Sequence, residues 1–139
     1  MRKTGDVYEL KDERDAELLR TFRLHLMQEG MVRLPECAER TVMSPTSRFW
    51  VSRERATLVM YGLLRGKGLD GMSPTRREMY GEIFRRVLAA REEHPGWSVE
   101  DLTDYVVRQP APRFYLTPKS AVVILCRIRK VWDGRVRKG

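Results

Sequence analysis

Two loop-like phrases that lie 65 residues apart constrain this chain more than any other feature of its sequence. Residues 45–52 read PTSRFWVS and residues 110–117 read PAPRFYLT. The same offset aligns 13–66 with 78–131 without a gap, with eight identities and with apolar positions matched in class along the whole range. Such self-similarity indicates a repeated structural unit. The sequence therefore predicts a tandem duplication.

Each copy predicts a helix, a short helix, the RF[WY] loop and a third helix. The first helix is expected at about 12–28 in copy one and at 75–93 in copy two. The helix of copy two could begin at a Thr75–Glu78 capping box or at Ser73-Pro74. The short helices are expected at 35–43 and 99–108. Ser52 and Thr117 are suited to cap the third helices. No convincing strand is visible, so the predicted fold class is all-α.

Two copies are too few for an open solenoid, so we expect one compact domain with a pseudo-twofold axis. The predicted segments are an N-terminal extension at 1–11, the first three-helix repeat at 12–66, a Gly-rich linker at 67–74, the second repeat at 75–132 and a basic tail at 133–139. The run AVVILC at 121–126 is apolar on every side of its helix. Because such helices are usually buried, the two third helices are candidates to pack against each other at the axis.

Catalytic and metal-binding motifs are not evident in the sequence. His25 and His94 have no cysteine or second histidine at ligand spacing, and no glycine-rich phosphate loop or nucleophile elbow is present. Cys37 and Cys126 lie among apolar neighbours and are expected to be buried thiols in a reducing compartment. We therefore expect a cytoplasmic, non-catalytic protein with no cofactor and no metal, since no secretory signal is visible either.

The charge balance points to an anionic partner. The chain has 27 basic and 19 acidic residues, a net charge of +8, and most of its basic residues are arginine. Arginine is the better phosphate and guanine ligand because its planar group binds two acceptors at once. Codon bias in a GC-rich genome would also raise the arginine content. The leading hypothesis is a small nucleic-acid-binding protein, with DNA as the first candidate and regulation as a conceivable role.

The candidate nucleic-acid-binding residues come from the RF[WY] loops, the third helix of copy two and the tail. They are Arg48, Arg113, Lys119, Arg127, Arg129, Lys130, Arg135, Arg137 and Lys138. Three helices per copy resemble the general plan of helix-turn-helix proteins, in architecture only, and the third helix would then read the groove. The RF[WY] loops also have a purely structural interpretation, which competes with nucleic-acid binding. In it, Phe49 and Phe114 enter the core, and each loop arginine pairs with an acid such as Glu17 or Glu82.

The alternative hypothesis is a protein–protein adaptor or assembly component. Duplicated helical units are common scaffolds, and a fold does not determine a function. Large aromatic side chains would then be exposed anchors, namely Trp50, Trp97, Tyr115 and Trp132. An exposed aromatic patch favours this hypothesis, whereas a continuous basic face favours nucleic-acid binding.

Overall fold

The computed structural model describes residues 3–30 and 33–138, and side chains at 10–28, 30 and 33–128. Six helices and no strand make up the described part: α1 (Lys3–Glu29), α2 (Leu34–Val42), α3 (Arg53–Leu64), α4 (Pro74–Glu93), α5 (Val99–Val107) and α6 (Pro118–Lys138). The predicted all-α class is confirmed, and the molecule is compact. Two helices are longer than predicted, since α1 begins at residue 3 and α6 continues to residue 138.

Serine and threonine caps set the starts of four helices. The hydroxyls of Ser52, Ser73 and Ser98 each accept a hydrogen bond from the backbone amide three residues later, and Thr117 does the same for Ser120. Helix α4 begins at Pro74 behind its Ser73 cap, so the Ser73-Pro74 start is the one used and not the Thr75 capping box. These caps satisfy amides that have no partner within the helix.

The third helix of each half packs on the other half. Helix α3 contacts α5 and α4, whereas α6 contacts α2 and α1. Within the described residues, no Cα atom of α3 lies within 8 Å of one of α6. The expectation that α3 and α6, the third helices of the two halves, pack against each other is therefore wrong. Helix α3 instead covers α4 and α5, and α6 covers α1 and α2.

Two hydrophobic cores result from this exchange. The first core combines Phe49 and Met60 from the first half with Ile83, Leu102 and other apolar side chains of α4 and α5. The second core combines α1 and α2 with residues of the second half, namely Phe114, Ala121, Ile124 and Leu125. Both phenylalanines of the RF[WY] loops are fully or almost fully buried, as the structural interpretation of these loops predicts.

The two RF[WY] loops cross and pair through their backbones. The Thr46 amide donates to the Ala111 carbonyl at 3.0 Å, and the Ala111 amide donates to the Thr46 carbonyl at 2.9 Å. On either side, the Phe49 amide donates to a carbonyl at position 107 and the Phe114 amide to one at position 42, each at 3.0 Å. These bonds satisfy backbone groups that buried loops would otherwise leave unpaired.

The outward faces of the third helices are exposed. Leu58 of α3 is 70% exposed and Val123 of α6 is 60% exposed. Cys126 is exposed as well, while Cys37 is buried. The expectation of burial on all sides for AVVILC, and of a buried thiol at Cys126, is therefore wrong. The reason is that only one face of α6 contacts α1 and α2.

The exchange predicts that neither half folds alone as a monomer. When residues 1–66 and 67–139 are produced separately, α3 lacks the apolar surface of α4 and α5, and α6 lacks that of α1 and α2. We expect the mixed fragments to form a complex of the intact chain's size that unfolds cooperatively, as measured by size-exclusion chromatography and thermal circular dichroism. A single fragment that is monomeric and unfolds cooperatively would contradict the exchange.

Candidate nucleic-acid interface

Arg48 holds its own loop together. Its Nε donates to the Phe49 carbonyl at 2.9 Å, and its guanidinium also donates to the Val51 carbonyl at 3.1 Å. The guanidinium carbon lies 5.9 Å from the centre of the Trp50 ring. Burial lowers the pKa of Arg48 below its usual value, and the nearby charge of Arg108 lowers it further. Two of its N–H donors are therefore used within its own loop.

Arg113 occupies the matching position in the second loop. Its guanidinium lies 3.6 Å from a carboxylate oxygen of Glu78 and 5.8 Å from the centre of the Tyr115 ring. It also approaches the Met43 sulfur at 3.9 Å. The acid that pairs with this arginine is therefore Glu78 and not Glu82.

The aromatic neighbours of the two arginines are half-buried. The Trp50 indole donates to the Thr46 hydroxyl at 2.8 Å, which ties the ring to the point where the loops cross. Tyr115 stacks on Phe49 with ring centres 6.0 Å apart. Both rings therefore support the loops, and neither is a freely exposed stacking platform.

The candidates on α6 divide into three groups. Lys119 is exposed at the second position of the helix. Arg127 donates to Asp15 of α1 at 3.0 Å, so it contributes to the contact between these two helices. Five candidates have side chains outside the described ones, namely Arg129, Lys130, Arg135, Arg137 and Lys138, and so does the aromatic anchor Trp132.

A basic groove, which sequence reasoning missed, lies between α1, the start of α3 and the start of α4. Its volume is about 480 Å³, and four of its lining residues are cations: Lys11, Arg14, Arg55 and Arg76. The other lining residues are apolar, aromatic or hydroxylic: Leu10, Trp50, Val51, Ser52, Met79 and Tyr80. No carboxylate belongs to this described lining, so the described lining of the groove is positively charged.

Three of the four cations are available to a ligand. Arg14 donates twice to Asp15, at 3.0 and 2.9 Å, so its guanidinium is engaged within the protein. Within the described part of the chain, no ion pair or side-chain hydrogen bond is found for Lys11, Arg55 or Arg76. The last two also lie in the first turns of α3 and α4, where the helix dipole adds positive potential.

One sequence signal points to this groove. Lys11 and Arg76 are both basic and are 65 residues apart, the same offset that separates the two RF[WY] loops. They lie just before the aligned ranges that begin at 13 and 78, so the alignment did not include them. Their convergence with Arg55 also requires α3 to pack on α4.

A neighbouring cavity differs from the basic groove in its charge balance. The cavity has a volume of about 430 Å³ and shares Leu10 and Ser52 with the basic groove. Its charged lining is balanced, with three arginines against three carboxylates: Arg48, Arg53, Arg108, Glu13, Glu54 and Asp104. It therefore has no comparable preference for anions.

The histidines have local contacts. His25 lies 2.8 Å from the Ser44 hydroxyl, and the His94 ring stacks on Trp97 with centres 3.9 Å apart. Among the residues that the structure describes, no three His, Cys, Asp or Glu side chains form a group that would hold a metal ion. In that same part of the chain, no helix has the length and apolar character needed to cross a membrane.

Comparison with protein-family models, curated proteins and solved structures found no significant match for this chain. The function must therefore be argued from the chemistry of its own surfaces.

Glu82 anchors an arginine that connects α4 to the second RF[WY] loop. Arg86 donates to Glu82 at 2.8 Å, and it also donates to the Gln109 side chain at 3.1 Å and the Pro110 carbonyl at 3.0 Å. Its guanidinium lies 5.0 Å from the centre of the Phe49 ring. The hydrogen bond from Arg85, with Arg86 adding to it, lowers the pKa of Glu82 below its usual value.

This contact predicts a pH-dependent contribution to stability. Because the pKa of Glu82 is lowered in the folded state, its contribution is present above the unfolded pKa of about 4.3 and is lost as the pH falls through the folded value. We expect Glu82→Gln to lower the free energy of unfolding by at most about 1 kcal/mol at pH 7, because the pair is partly screened by solvent. Below both pKa values the difference should shrink. Urea unfolding at both pH values measures it.

The control for this prediction is Asp70→Asn. Asp70 is an exposed carboxylate between α3 and α4 for which no ion pair is found among the described side chains. Its substitution should change stability little at either pH. An effect of Glu82→Gln that is the same at neutral and acidic pH would show that the ion pairs are not its cause.

Proposed function

We propose that this protein binds nucleic acid through the basic groove, with duplex DNA as the first candidate ligand. The observation that carries the proposal is the convergence of three unpaired cations, Lys11, Arg55 and Arg76, in a groove whose described lining has no carboxylate. Phosphate contacts of this kind supply most of non-specific nucleic-acid affinity. The proposed role is non-catalytic, and binding inside the cytoplasm is part of the same proposal.

The mechanism is mainly electrostatic. Each cation that neutralises a phosphate releases condensed counterions from the nucleic acid, so affinity depends steeply on salt. Arg55 and Arg76 can each bind two phosphate oxygens, whereas Lys11 offers a compact charge. These contacts position the backbone and carry no base information. The groove therefore favours binding with little sequence preference.

We also propose that the chain is a duplicated three-helix unit whose halves are related by a pseudo-twofold axis. Several contacts that recur at the 65-residue offset support this. Thr46 pairs with Ala111, its own equivalent, and the Phe49 amide bond to position 107 matches the Phe114 bond to position 42. Arg48 lies over Trp50 as Arg113 lies over Tyr115. Lys11 and Arg76 would then be equivalent residues that line one groove from both halves.

The predicted site on α6 becomes secondary in this proposal. Arg48, Arg113 and Arg127 each have partners within the protein, so we assign them to the support of the loops and of the α1–α6 contact. Lys119 and the five cations at 129, 130, 135, 137 and 138 stay predicted contacts. The proposal does not require a reading helix, because the groove lies at the start of α3 and not along its length.

The decisive experiment removes the unpaired cations. We expect Lys11→Ala/Arg55→Ala/Arg76→Ala to reduce the affinity for a labelled duplex about tenfold or more at low salt, because three phosphate contacts are lost. The slope of log K against log salt should become less negative by about 2 to 3. Fluorescence anisotropy at several salt concentrations, with a duplex and a single strand of equal length, measures both quantities.

A matched control separates the groove from net charge. Arg20, Arg23 and Arg91 are exposed cations outside the groove lining, so their triple alanine variant removes the same charge. It should retain most of the affinity. Equal losses in the two variants would reject the groove, and no binding of the unmodified protein to either nucleic acid at low salt would reject the function.

A protein–protein adaptor is the second candidate function. The anchors proposed for it differ in exposure: Trp50 and Tyr115 are half-buried and engaged, Trp132 lies outside the described side chains, and Trp97 is 40% exposed. The surface around Trp97 is the specific observation that favours this candidate.

A further inference from the structure

An exposed aromatic cluster lies at the turn between α4 and α5. His94, at the end of α4, stacks on Trp97 with ring centres 3.9 Å apart and planes inclined by 13°. Tyr105 of α5 meets Trp97 edge-on, with centres 5.4 Å apart and planes inclined by 85°. Trp97 and Tyr105 are nevertheless 40% and 43% exposed. The cluster thus fixes both rings while leaving much of their surface open to solvent.

The two open rings form part of a groove, which we call the aromatic groove. Its volume is about 680 Å³, and its lining is Trp97, Asp101, Asp104, Tyr105, Arg108, Gln109 and Pro110. Pro110 belongs to the second RF[WY] loop, and the other lining residues come from α5 and its flanks. The groove is therefore built on rigid elements, which reduces the entropy lost when a ligand binds.

The edge of the aromatic groove carries negative charge, whereas the protein as a whole is positively charged. Asp101 is exposed at its edge and has no side-chain partner among the described residues. Asp104 is bound by Arg108 at 3.0 Å, so this pair is close to neutral. Further acids precede and follow the turn at positions 92, 93 and 100. In a chain with a net charge of +8, this edge is locally acidic.

We propose that the aromatic groove binds an extended, proline-containing basic segment of a partner protein. Polyproline segments dock on grooves lined by aromatic rings because their extended conformation is already formed before binding. An arginine or lysine in such a segment would lie against the open Trp97 or Tyr105 ring and beside the Asp101 carboxylate. Nucleic acid is disfavoured here because the same carboxylates repel phosphate.

The geometry also explains why His94 belongs to this surface. Its stacking covers part of the Trp97 ring and holds the indole in one orientation. An exposed tryptophan without such support would lose more rotamer freedom on binding. His94 is therefore a positioning residue, and Trp97, Tyr105 and Asp101 are the contact residues of the proposed surface.

Three peptides of equal length test the proposal on the full chain. They are a proline–arginine repeat, a proline–glutamate repeat and a glycine–arginine repeat. We expect the proline–arginine peptide to bind with micromolar to millimolar affinity and to shift the NMR signal of the Trp97 indole N–H. The proline–glutamate peptide should leave the Trp97 signal unshifted, and its binding to the basic-groove triple variant should be undetectable. The glycine–arginine peptide should bind several-fold more weakly than the proline–arginine peptide. Calorimetry gives the affinities.

Substitutions then locate the binding site. Trp97→Ala should weaken proline–arginine binding about tenfold or more, as expected for a central aromatic anchor. Asp101→Asn, which keeps the shape of the side chain, should weaken it several-fold, and mainly at low salt. The matched controls are Tyr61→Ala and Asp70→Asn, which change an exposed aromatic residue and an exposed acid outside the groove. Circular dichroism confirms that each variant is folded.

Several outcomes would overturn the proposal. These are no binding of the proline–arginine peptide at millimolar concentration, equal binding of the three peptides, or equal losses in the control variants. Concentration-dependent dimerisation that uses Trp97 would identify a second copy as the occupant instead. The basic-groove triple variant should bind the peptide normally, so a failure of this proposal is distinguishable from a failure of nucleic-acid binding.

Discussion

The backbone pairing of Thr46 with Ala111 is the contact on which the rest of the structure depends. It holds the two RF[WY] loops against each other where they cross, and each loop then directs its third helix to the opposite half. Phe49 and Phe114 follow the same crossing into the two cores. Without this pairing the loops would bury unsatisfied amides and carbonyls, at a cost of several kcal/mol. The pairing of the two loops therefore determines the path of the chain, the composition of the two cores and the conformation of the loops.

The exchange also creates the basic groove. Helix α3 brings Arg55 and the loop residue Ser52 next to Arg76 of α4, and the N-terminal part of α1 completes the groove with Lys11. This groove would not exist in an isolated half. The aromatic groove differs, because its whole described lining comes from residues 97–110 of the second half. The nucleic-acid proposal thus rests on the tertiary arrangement, whereas the peptide proposal rests on α5 and its flanks.

The sequence predicted what local chemistry determines. Ser52 and Thr117 cap helices because their hydroxyls satisfy the first amides, and Phe49 and Phe114 are buried because large apolar side chains leave water. It did not predict the exchange, because matched apolar positions in two copies fit an exchanged and an unexchanged packing equally well. The basic groove was missed for the same reason, since Lys11, Arg55 and Arg76 are distant in sequence and meet only after the exchange.

Net charge is a poor guide to what this surface recognises. A total of +8 would suggest a uniformly basic protein, yet ion pairs take up several arginines, including Arg85, Arg86 and Arg127. The basic groove nevertheless gathers three unpaired cations, whereas the aromatic groove has an unpaired carboxylate beside open aromatic rings. At physiological salt, charges act over about 8 Å, so the potential in each groove is set mainly by its own lining. Under the two proposals, phosphate and a basic peptide would occupy different grooves. The carboxylates of the aromatic groove would repel phosphate, and the cations of the basic groove would repel the basic peptide.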